Sequence, residues 1–516
     1  MTERFSKKPS YDEALECGKT HGETAVRGLR GYAHYGEAPI GQRNDLHDFE
    51  APSGLPSGVR GDATPGSRQS GALAPGIEPD SLSGVVFALE GTEGTTVLLN
   101  GPTGCKYYHS SISDSQTFRQ FEFDPLNFPL TWYFGQPRVP CTYLDNGDYV
   151  YGSERKLEEA LEYFGAAPQT GMLCIVNSPG AALIGDDLEG IARRILGDKP
   201  FMTLETPGFS EGMCAGFEKA ACALADCLAD GAADAGADTT GAGAGAGAGE
   251  RGREATAVNV LGLSLYQRHY AGDVAELRRL LETMGLRVNC MLGAGGSIDE
   301  VRALPHAALN IVVHPELGLK TAQHLEERFG TPYFTCDGLP IGFDATERFA
   351  RSVARLAGAD AEPVLAECRD ARKRAFSFVS RLNSLTGLPT GVPFAVEGTY
   401  SELAAYTEFL LEYLALVPVA LVPAFPQADC ARGRLQRLLD EAGFADALGR
   451  DPDAAAPELF FGSGATIARL RLAGLRFSGV ETMLPTLGYL DVVPKTHLGP
   501  QGALHLVESV LNGLLF

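Results

Sequence analysis

A strand-forming segment runs directly into a turn in Thr95-Thr-Val-Leu-Leu-Asn100-Gly-Pro-Thr-Gly-Cys105. Its first residues are mostly β-branched or apolar, which is typical of a buried strand. Gly101 and Gly104 permit a tight turn with close backbone approach. Ligands of parallel sheets usually bind at the ends of such strands. Cys105 is therefore a candidate functional residue, with a buried structural thiol as the alternative.

The same alternation of strand and helix continues along the chain. Residues 172–177 have the pattern of a strand, and residues 153–164 and 186–196 have helical spacing. The alternation resumes at residues 257–263, and a last block begins at residues 393–398. This pattern predicts parallel βα units, so we expect an α/β protein with three such units in series.

Composition shifts divide the chain further. The first residues are rich in Gly, Pro, Ser and Arg, and a later Gly/Ala tract can bury almost nothing. We predict a flexible polar N-terminal arm (1–80), a first α/β domain (81–230), a Gly/Ala-rich linker or insertion (231–256), a second α/β domain (257–385) and a third (386–516).

Charge and hydropathy narrow the class of protein. The chain has 516 residues, with 43 Lys and Arg against 65 Asp and Glu, and a formal net charge of −22. This balance argues against binding to nucleic acid or anionic membranes, which requires clustered basic residues. No stretch approaches the ~20 apolar residues of a membrane helix. The first residues lack the apolar core of a signal peptide, so we expect a cytoplasmic protein.

Eleven cysteines are present, and the closest two are five residues apart. The absence of any CxxC excludes zinc ribbons and thioredoxin-like motifs, so a metal cluster would need distant segments. Cys141, between Pro140 and a polar turn, is a second candidate ligand, with a free surface thiol as the alternative. Gly185 lies in a strand-to-helix turn whose N–H groups could hold an anion or cap a cluster, although ordinary βα loops look alike.

These motifs, in this order and spacing, resemble the component 1 superfamily of nitrogenase-like proteins over roughly residues 80–516. The superfamily includes nitrogenase catalytic subunits, their cofactor-assembly scaffolds, dark-operative protochlorophyllide reductase and nickel-sirohydrochlorin reductase. The resemblance implies a nitrogenase component 1-like fold with three Rossmann-like domains, the first bearing the cluster. The matching segments are GPTGC (101–105), YGSERKLEEAL (151–161), IGDD (184–187), ETPGFSEG (205–212) and HLGPQGALHLVE (497–508).

The resemblance implies an iron–sulfur cluster, but the family's set of three cysteines is incomplete here. Only Cys105 is kept; Asp80 stands nearest to the first position, and Ser178 or Pro179 at the third. Protochlorophyllide reductases use an aspartate as one ligand, so Asp80 is a candidate ligand, ranked below Cys141. Because Cys105 and Cys141 supply half of the about four ligands that a [4Fe–4S] cluster needs, we expect it to be shared at a subunit interface. The partner is a second copy or a paralogous component 1 subunit.

In nitrogenase a cysteine and a histidine anchor the active-site cofactor. His314 stands at the cysteine position and Leu498 at the histidine position, so we expect no iron–molybdenum cofactor and no reduction of dinitrogen. The expected substrate is an organic or tetrapyrrole-like small molecule. His314 is the candidate catalytic acid or substrate ligand. A histidine that is simply hydrogen-bonded at a strand end is the alternative.

By resemblance, electrons come from an ATP-dependent iron-protein reductase. The segment Cys17-Gly-Lys-Thr20 is no P-loop, because Glu13 stands where glycine is required and no strand precedes it. We therefore predict one subunit of a nitrogenase-like oxidoreductase. A non-catalytic cofactor-assembly scaffold and a cluster-free Rossmann-like ligand-binding protein are the competing hypotheses.

Overall fold

The fold is described from a computed structural model of the chain. Its described residues are 79–106, 109, 139–168, 170–206, 211–235, 253–425, 427–486 and 493–515. Nearly all of the predicted N-terminal arm and most of the predicted Gly/Ala-rich linker therefore lie outside the described residues.

The first α/β unit contains a parallel three-stranded sheet in the order β2-β3-β4. All residues of β2 and β3 are buried, as the apolar runs predict. The strands, with a short β1 ahead of them, are β1 (Thr92–Glu93), β2 (Thr95–Asn100), β3 (Met172–Asn177) and β4 (Phe201–Glu205). The helices are α1 (Ser81–Glu90), α2 (Asn146–Tyr151), α3 (Glu154–Gly165), α4 (Pro179–Ala182), α5 (Leu188–Leu196) and α6 (Met213–Ala235).

Helices α1 and α6 pack in unusually close contact. A Cβ atom on Gly84 would lie 2.0 Å from the Met213 carbonyl oxygen, and one on Gly216 would lie 1.8 Å from the Ser81 carbonyl oxygen. Only glycine fits at either position. This packing places Asp80, the N-cap of α1, beside Gly212, just before α6.

The second unit contains a parallel four-stranded sheet in the order β6-β5-β8-β9. Its strands, with the short β7 that pairs with β1, are β5 (Glu254–Leu261), β6 (Arg287–Met291), β7 (Gly296–Ser297), β8 (Ala307–Val312) and β9 (Tyr333–Thr335). Its helices are α7 (Tyr270–Thr283), α8 (Ile298–Arg302), α9 (Pro315–Phe329), α10 (Phe343–Ala357) and α11 (Glu362–Thr386), with a 3₁₀ turn at Leu304–His306.

The third unit contains a parallel four-stranded sheet in the order β11-β10-β12-β13. Its strands are β10 (Pro393–Gly398), β11 (Val417–Pro423), β12 (Leu459–Ser463) and β13 (Ser478–Met483). Its helices are α12 (Tyr400–Glu408), which continues as a π-helical turn (Phe409–Tyr413), α13 (Arg432–Ala442), α14 (Pro452–Ala455), α15 (Gly464–Leu472) and α16 (Gly499–Leu515), with a 3₁₀ turn at Ala445–Ala447.

The three sheets share their hydrophobic cores. One cluster joins the second and third sheets, with Val260 and Phe394 among its buried residues. Another joins the first sheet to the second, with Leu99 and Leu261 among its members. Burial of these side chains is the main favourable contribution to packing between the units.

The prediction of an α/β fold with parallel sheets is confirmed. The predicted domain boundaries stay predictions; α6 extends to Ala235 and β5 begins at Glu254, so both enter the range predicted as linker. No described helix is both long enough and apolar enough to cross a membrane.

Candidate functional site

The first predicted cysteine, Cys105, lies at the carboxyl end of β2. The strand ends at Asn100, and residues 103–106 form a helical turn that carries Cys105, half-buried, at the edge of the sheet. The backbone of Gly101 passes close by: a Cβ atom there would lie 3.5 Å from the Cys105 Cβ. The turn thus presents the thiol where parallel sheets usually bind ligands.

Cys141 lies on the other side of Gly101. Residue 141 pairs with Leu99 in an isolated parallel bridge, and the Cys141 thiol donates to the Gly101 carbonyl oxygen at 3.1 Å. The backbone N–H of Tyr143 donates to the Cys141 sulfur at 3.4 Å. Burial raises the pKa of the Cys141 thiol to about 11, although Tyr143 N–H and the Lys106 ammonium oppose the rise. The structure therefore brings the two predicted cysteines together.

Gly101 is required by its surroundings, since a Cβ atom there would lie 2.7 Å from the Ser178 hydroxyl. Ser178, one of the two positions matched to the missing third cysteine, is fully buried and caps α4. The Gly101 N–H donates to the Thr142 hydroxyl at 3.0 Å, and that hydroxyl donates to Asn100 at 2.8 Å. These bonds hold the segments of both cysteines against the ends of β2 and β3.

Asp80 reaches the same region through a histidine. Its Oδ1 accepts from the Ser83 backbone N–H at 3.0 Å and lies 2.9 Å from the His109 Nδ1. The Asp80 Oδ2 is buried and makes no hydrogen bond with any residue that the structure describes. Burial alone would raise the pKa of Asp80, but the bonds from His109 and Ser83 lower it. Asp80 is therefore a carboxylate with one uncommitted oxygen.

His109 connects Asp80 to Cys105. Its ring is almost completely buried, its Nδ1 lies 2.9 Å from the Asp80 Oδ1, and the Cys105 thiol is its second acidic neighbour. Burial would lower the pKa of His109, yet these two acidic partners raise it. Lys106, also buried, lies near Cys141 and Glu90, and desolvation lowers the pKa of its ammonium to about 8. A cationic group, Lys106, and a titratable group, His109, therefore lie beside the thiols.

The other predicted glycines differ in their surroundings. Gly104 is exposed, and a Cβ atom there would meet no atom of the described residues within 4 Å. Gly185 has φ of +81°, a conformation that L side chains rarely adopt. The next residue, Asp186, accepts from the backbone N–H and hydroxyl of Ser153 at 2.8 Å and 2.5 Å, which ties this turn to the start of α3.

His314 lies in the second unit, at the N-cap of α9, and its side chain is fully buried. Its Nε2 lies 2.9 Å from the Thr399 hydroxyl and 3.8 Å from a Glu402 oxygen, and its Nδ1 lies 3.3 Å from Glu316. Burial would lower the pKa of His314, but Glu402 and Glu316 raise it. The imidazole is therefore a proton-holding group between two acids.

A crevice between the second and third units lies next to this group. Among the described residues, those that line the crevice include Glu402, Tyr406, His497 and Leu498. His314 is not one of them. Glu402 therefore joins the buried histidine to the crevice. Leu498, the residue matched to nitrogenase's histidine anchor, is one of its walls.

Sequence reasoning missed His109 and Lys106 as parts of the cysteine site. Both follow Cys105 closely, and the i, i+4 spacing of Cys105 and His109 was the signal that could have found the histidine. The polar row at the strand ends was also missed. Asn100 donates to Asn177 at 2.8 Å, which donates to Glu205 at 3.2 Å.

Comparison with protein families identifies one matching model. The family is described as Nitrogenase component 1 type Oxidoreductase, and its model matches residues 81–515. The match covers all three sheets and both candidate cysteines. The predicted resemblance is thereby confirmed.

Curated relatives include light-independent protochlorophyllide reductase subunits B. That of Methylobacterium radiotolerans is 34% identical over 185 residues, 36% of this chain and 32% of the relative. That of a Bradyrhizobium species is 34% identical over 238 residues, 44% of this chain and 42% of the relative. These two matches thus span less than half of the relatives' length. That of Heliobacterium modesticaldum is 24% identical over 439 residues, 84% of this chain and 77% of the relative.

Solved structures with the same fold include one described as Nitrogenase Cp1 at pH 6.5. It superposes with a TM-score of 0.65 at 16% identity and covers 85% of this chain and 92% of that chain. A second, described as Nitrogenase Cp1 at pH 5, has a TM-score of 0.59 at 18% identity. At these identities the likeness establishes the fold.

Proposed function

The chain belongs to the nitrogenase component 1 type oxidoreductases, and from this membership we propose that it is one subunit of an iron–sulfur enzyme that reduces an organic, tetrapyrrole-like substrate. The observation that carries the proposal is the convergence of Cys105, Cys141 and Asp80 around the carboxyl end of β2. Thiolates are the usual ligands of iron–sulfur clusters, and parallel sheets bind ligands at this edge.

The donor set fits a cluster. Two thiols flank Gly101, and the nearby Asp80 has a buried oxygen that no described residue hydrogen-bonds. Burial of an unsatisfied carboxylate oxygen is costly unless something binds it. Cys105, Cys141 and Asp80 would hold the cluster, which supplies electrons one at a time when bound. His109 orients the Asp80 carboxylate, and Lys106 offsets thiolate charge.

A shared cluster requires a second chain, and the surface beside the cysteines suits one. Large apolar side chains are exposed in the segment that follows Cys141 and at the end of α4: Tyr143, Tyr149, Val150, Tyr151 and Leu183. Such a patch is typical of a protein–protein interface. The occupant that we propose is another component 1 type chain, either a second copy or a paralogue, contributing the remaining cluster ligands.

The substrate is proposed to bind in the crevice between the second and third units. The named activity of the curated relatives is reduction of protochlorophyllide, a tetrapyrrole, which supports this substrate class. His314 would hold a proton and pass it through Glu402, which lines the crevice. With Leu498 in the wall, the family's histidine anchor for a nitrogenase cofactor is missing, so we propose that dinitrogen is not a substrate.

The electron donor is proposed to be a separate ATP-dependent iron protein. The chain's only GKT sequence has glutamate in place of the P-loop's first glycine. ATP hydrolysis would therefore reside in the partner. Cluster reduction that requires both the iron protein and ATP would support this assignment.

The test is anaerobic purification of the wild-type complex with Cys105→Ala, Cys141→Ala and Asp80→Asn variants. We expect iron and sulfide in the wild type and a loss of most iron in both cysteine variants. Asp80→Asn keeps a good N-cap residue for α1 but removes the carboxylate, so it should change the electron paramagnetic resonance signal more than the thermal midpoint. Cys174→Ala, in the core of β3, is the matched control and should keep its iron.

Full iron content and an unchanged signal in Cys105→Ala would overturn the ligand assignment. A cluster that is reduced by the iron protein, with no turnover of any tetrapyrrole, would instead favour the assembly scaffold.

A further inference from the structure

Three histidines that belong neither to the cysteine site nor to the His314 group meet at the crevice. His269 precedes α7, His497 precedes α16, and His505 lies on α16. His269 and His497 are buried and line the crevice, and His505 is half-buried. The second unit and the chain's last segment thus bring their imidazoles to one place.

The geometry of the three rings is close to that of a metal site. One nitrogen from each lies within 4.8 Å of the other two. The ring centroids are 4.6, 5.6 and 5.2 Å apart. A tetrahedral metal with nitrogen ligands at about 2.0–2.1 Å holds these nitrogens roughly 3.3 Å apart. Nitrogens no more than 4.8 Å apart need only a small movement of the side chains to reach that separation.

Hydrogen bonds orient two of the rings for binding. The His505 Nδ1 donates to the Thr496 carbonyl oxygen at 3.1 Å, which leaves the lone pair on Nε2. The His497 Nδ1 lies 2.7 Å from the Tyr406 hydroxyl, while its Nε2 is buried and has no hydrogen-bond partner in the described part of the chain. Metal-binding histidines are held in this way, with the second ring nitrogen bonded to an outer partner.

A buried carboxylate lies beside the three histidines. The backbone N–H of His497 donates to Asp273 at 3.1 Å. Asp273 also lines the crevice and accepts from the Thr496 hydroxyl at 2.6 Å. Its carboxylate offers negative charge beside a bound cation.

We propose that His269, His497 and His505 bind one divalent transition-metal ion of the zinc class, with its remaining coordination position facing the crevice. Three imidazoles suit zinc and its neighbours in the first transition row, whereas magnesium and calcium prefer oxygen ligands. The open position would accept water or a donor atom of a molecule bound in the crevice. The site uses none of the proposed cluster ligands.

The experiment titrates the anaerobically purified complex with cobalt(II), the spectroscopic substitute for zinc, and measures bound cobalt and its visible d–d absorption. The wild type should bind one cobalt ion per chain with the strong absorption of a four-coordinate site, and zinc should displace it. His505→Gln, at the half-buried position, should weaken binding at least tenfold. The double variant His269→Gln/His505→Gln should lose the site.

His306→Gln, which changes an exposed histidine at the end of a 3₁₀ turn, is the matched control and should bind as the wild type does. Iron content and thermal midpoint without added metal should be the same in all variants. Unchanged cobalt binding in the double variant would overturn the proposal. Copper(II) bound to the wild type gives a second test: an electron paramagnetic resonance spectrum without nitrogen hyperfine splitting would also overturn it, whether or not the variants fold.

Discussion

At the scale of single residues, buried carboxylates differ in the hydrogen bonds and opposite charges that surround them. Asp80 and Glu402 each face a histidine, and hydrogen bonds and opposite charge outweigh burial and lower the pKa of both. At Glu218, in α6, burial outweighs the opposing attraction of Lys320 and His314. Glu218 is 5% exposed and accepts from the Lys320 backbone N–H at 2.7 Å, and burial raises the pKa of its carboxyl from 4.5 to about 7.

We predict that Glu218→Gln stabilises the protein at neutral and alkaline pH. The raised pKa means that the folded state holds the proton more tightly than the unfolded state. The free energy of unfolding of the wild type therefore falls as the pH rises from 4.5 through 7. Above that range it stays at the lower value. The pKa difference corresponds to about 3 kcal/mol. The free energy of unfolding in urea should thus rise by roughly this amount at pH 8 and change little at pH 4.5.

Glu327→Gln removes the same charge from an exposed position on α9 and serves as the control. Equal effects of the two substitutions at pH 8 would show that net charge, and not burial at residue 218, is responsible.

At the scale of secondary-structure elements, one ion pair joins the second and third sheets. Arg268, in the loop between β5 and α7, pairs with Glu481 of β13, and both side chains are almost fully buried. Backbone bonds accompany the pair: Arg268 N–H donates to the Thr482 carbonyl, and Leu484 N–H donates to the Tyr266 carbonyl, each at 3.0 Å. These contacts fix one wall of the crevice.

We predict that Glu481→Gln lowers the stability of the protein by about 3 kcal/mol, because Arg268 would keep its charge in a buried place. The thermal midpoint of the variant should fall accordingly. Glu254→Gln breaks an exposed pair with Arg287 and should leave the midpoint almost unchanged. A midpoint for Glu481→Gln equal to that of this control would contradict the prediction.

The elements themselves were largely predictable, but their side-chain contacts were not. The apolar run at 172–177 is β3, and the spacing at 153–164 differs by one residue from α3. The spacing predicts a helix from residue 186, but α5 begins at Leu188 with Asp187 as its cap, and Asp186 accepts a hydrogen bond from Ser153 of a neighbouring segment. Such a contact depends on which loops meet in space, and local propensity carries no information about it.

Within the candidate sites too, the sequence reveals residues that carry a local signal but not contacts between distant segments. Cys105 and Cys141 were found because turn residues flank them, which is a local signal. His269 and His497 are far apart in sequence, and each alone has an ordinary context. Only the packing of α7 against α16 brings them together, so no spacing rule could identify the histidine cluster.

At the scale of the whole molecule, the exposed apolar patch beside the cysteines predicts how the chain assembles. Tyr151 is 90% exposed and Val150 is 72% exposed, on a short helix a few residues after Cys141. Leu183, 88% exposed, extends the patch at the end of α4. Covering these side chains would remove a large apolar area from water.

We predict that Tyr151→Glu prevents assembly with the second component 1 type chain and lowers iron retention, because burying the new carboxylate in the interface is costly. Sedimentation of the anaerobic protein should show a shift to the single chain, with an unchanged far-ultraviolet circular dichroism spectrum. Leu472→Glu, at a 77% exposed position on α15, is the control and should assemble normally. Normal assembly of Tyr151→Glu would place the interface elsewhere.

Glu402 couples proton uptake to the binding of an anionic ligand in the crevice. The same carboxylate closes the capping box of α12, faces His314 and lines the crevice. An anionic ligand in the crevice would add negative charge beside it and raise the proton affinity of both Glu402 and His314. Ligand binding and proton uptake are therefore coupled, so such a ligand binds more tightly as the pH falls, and a neutral ligand of the same shape lacks this dependence.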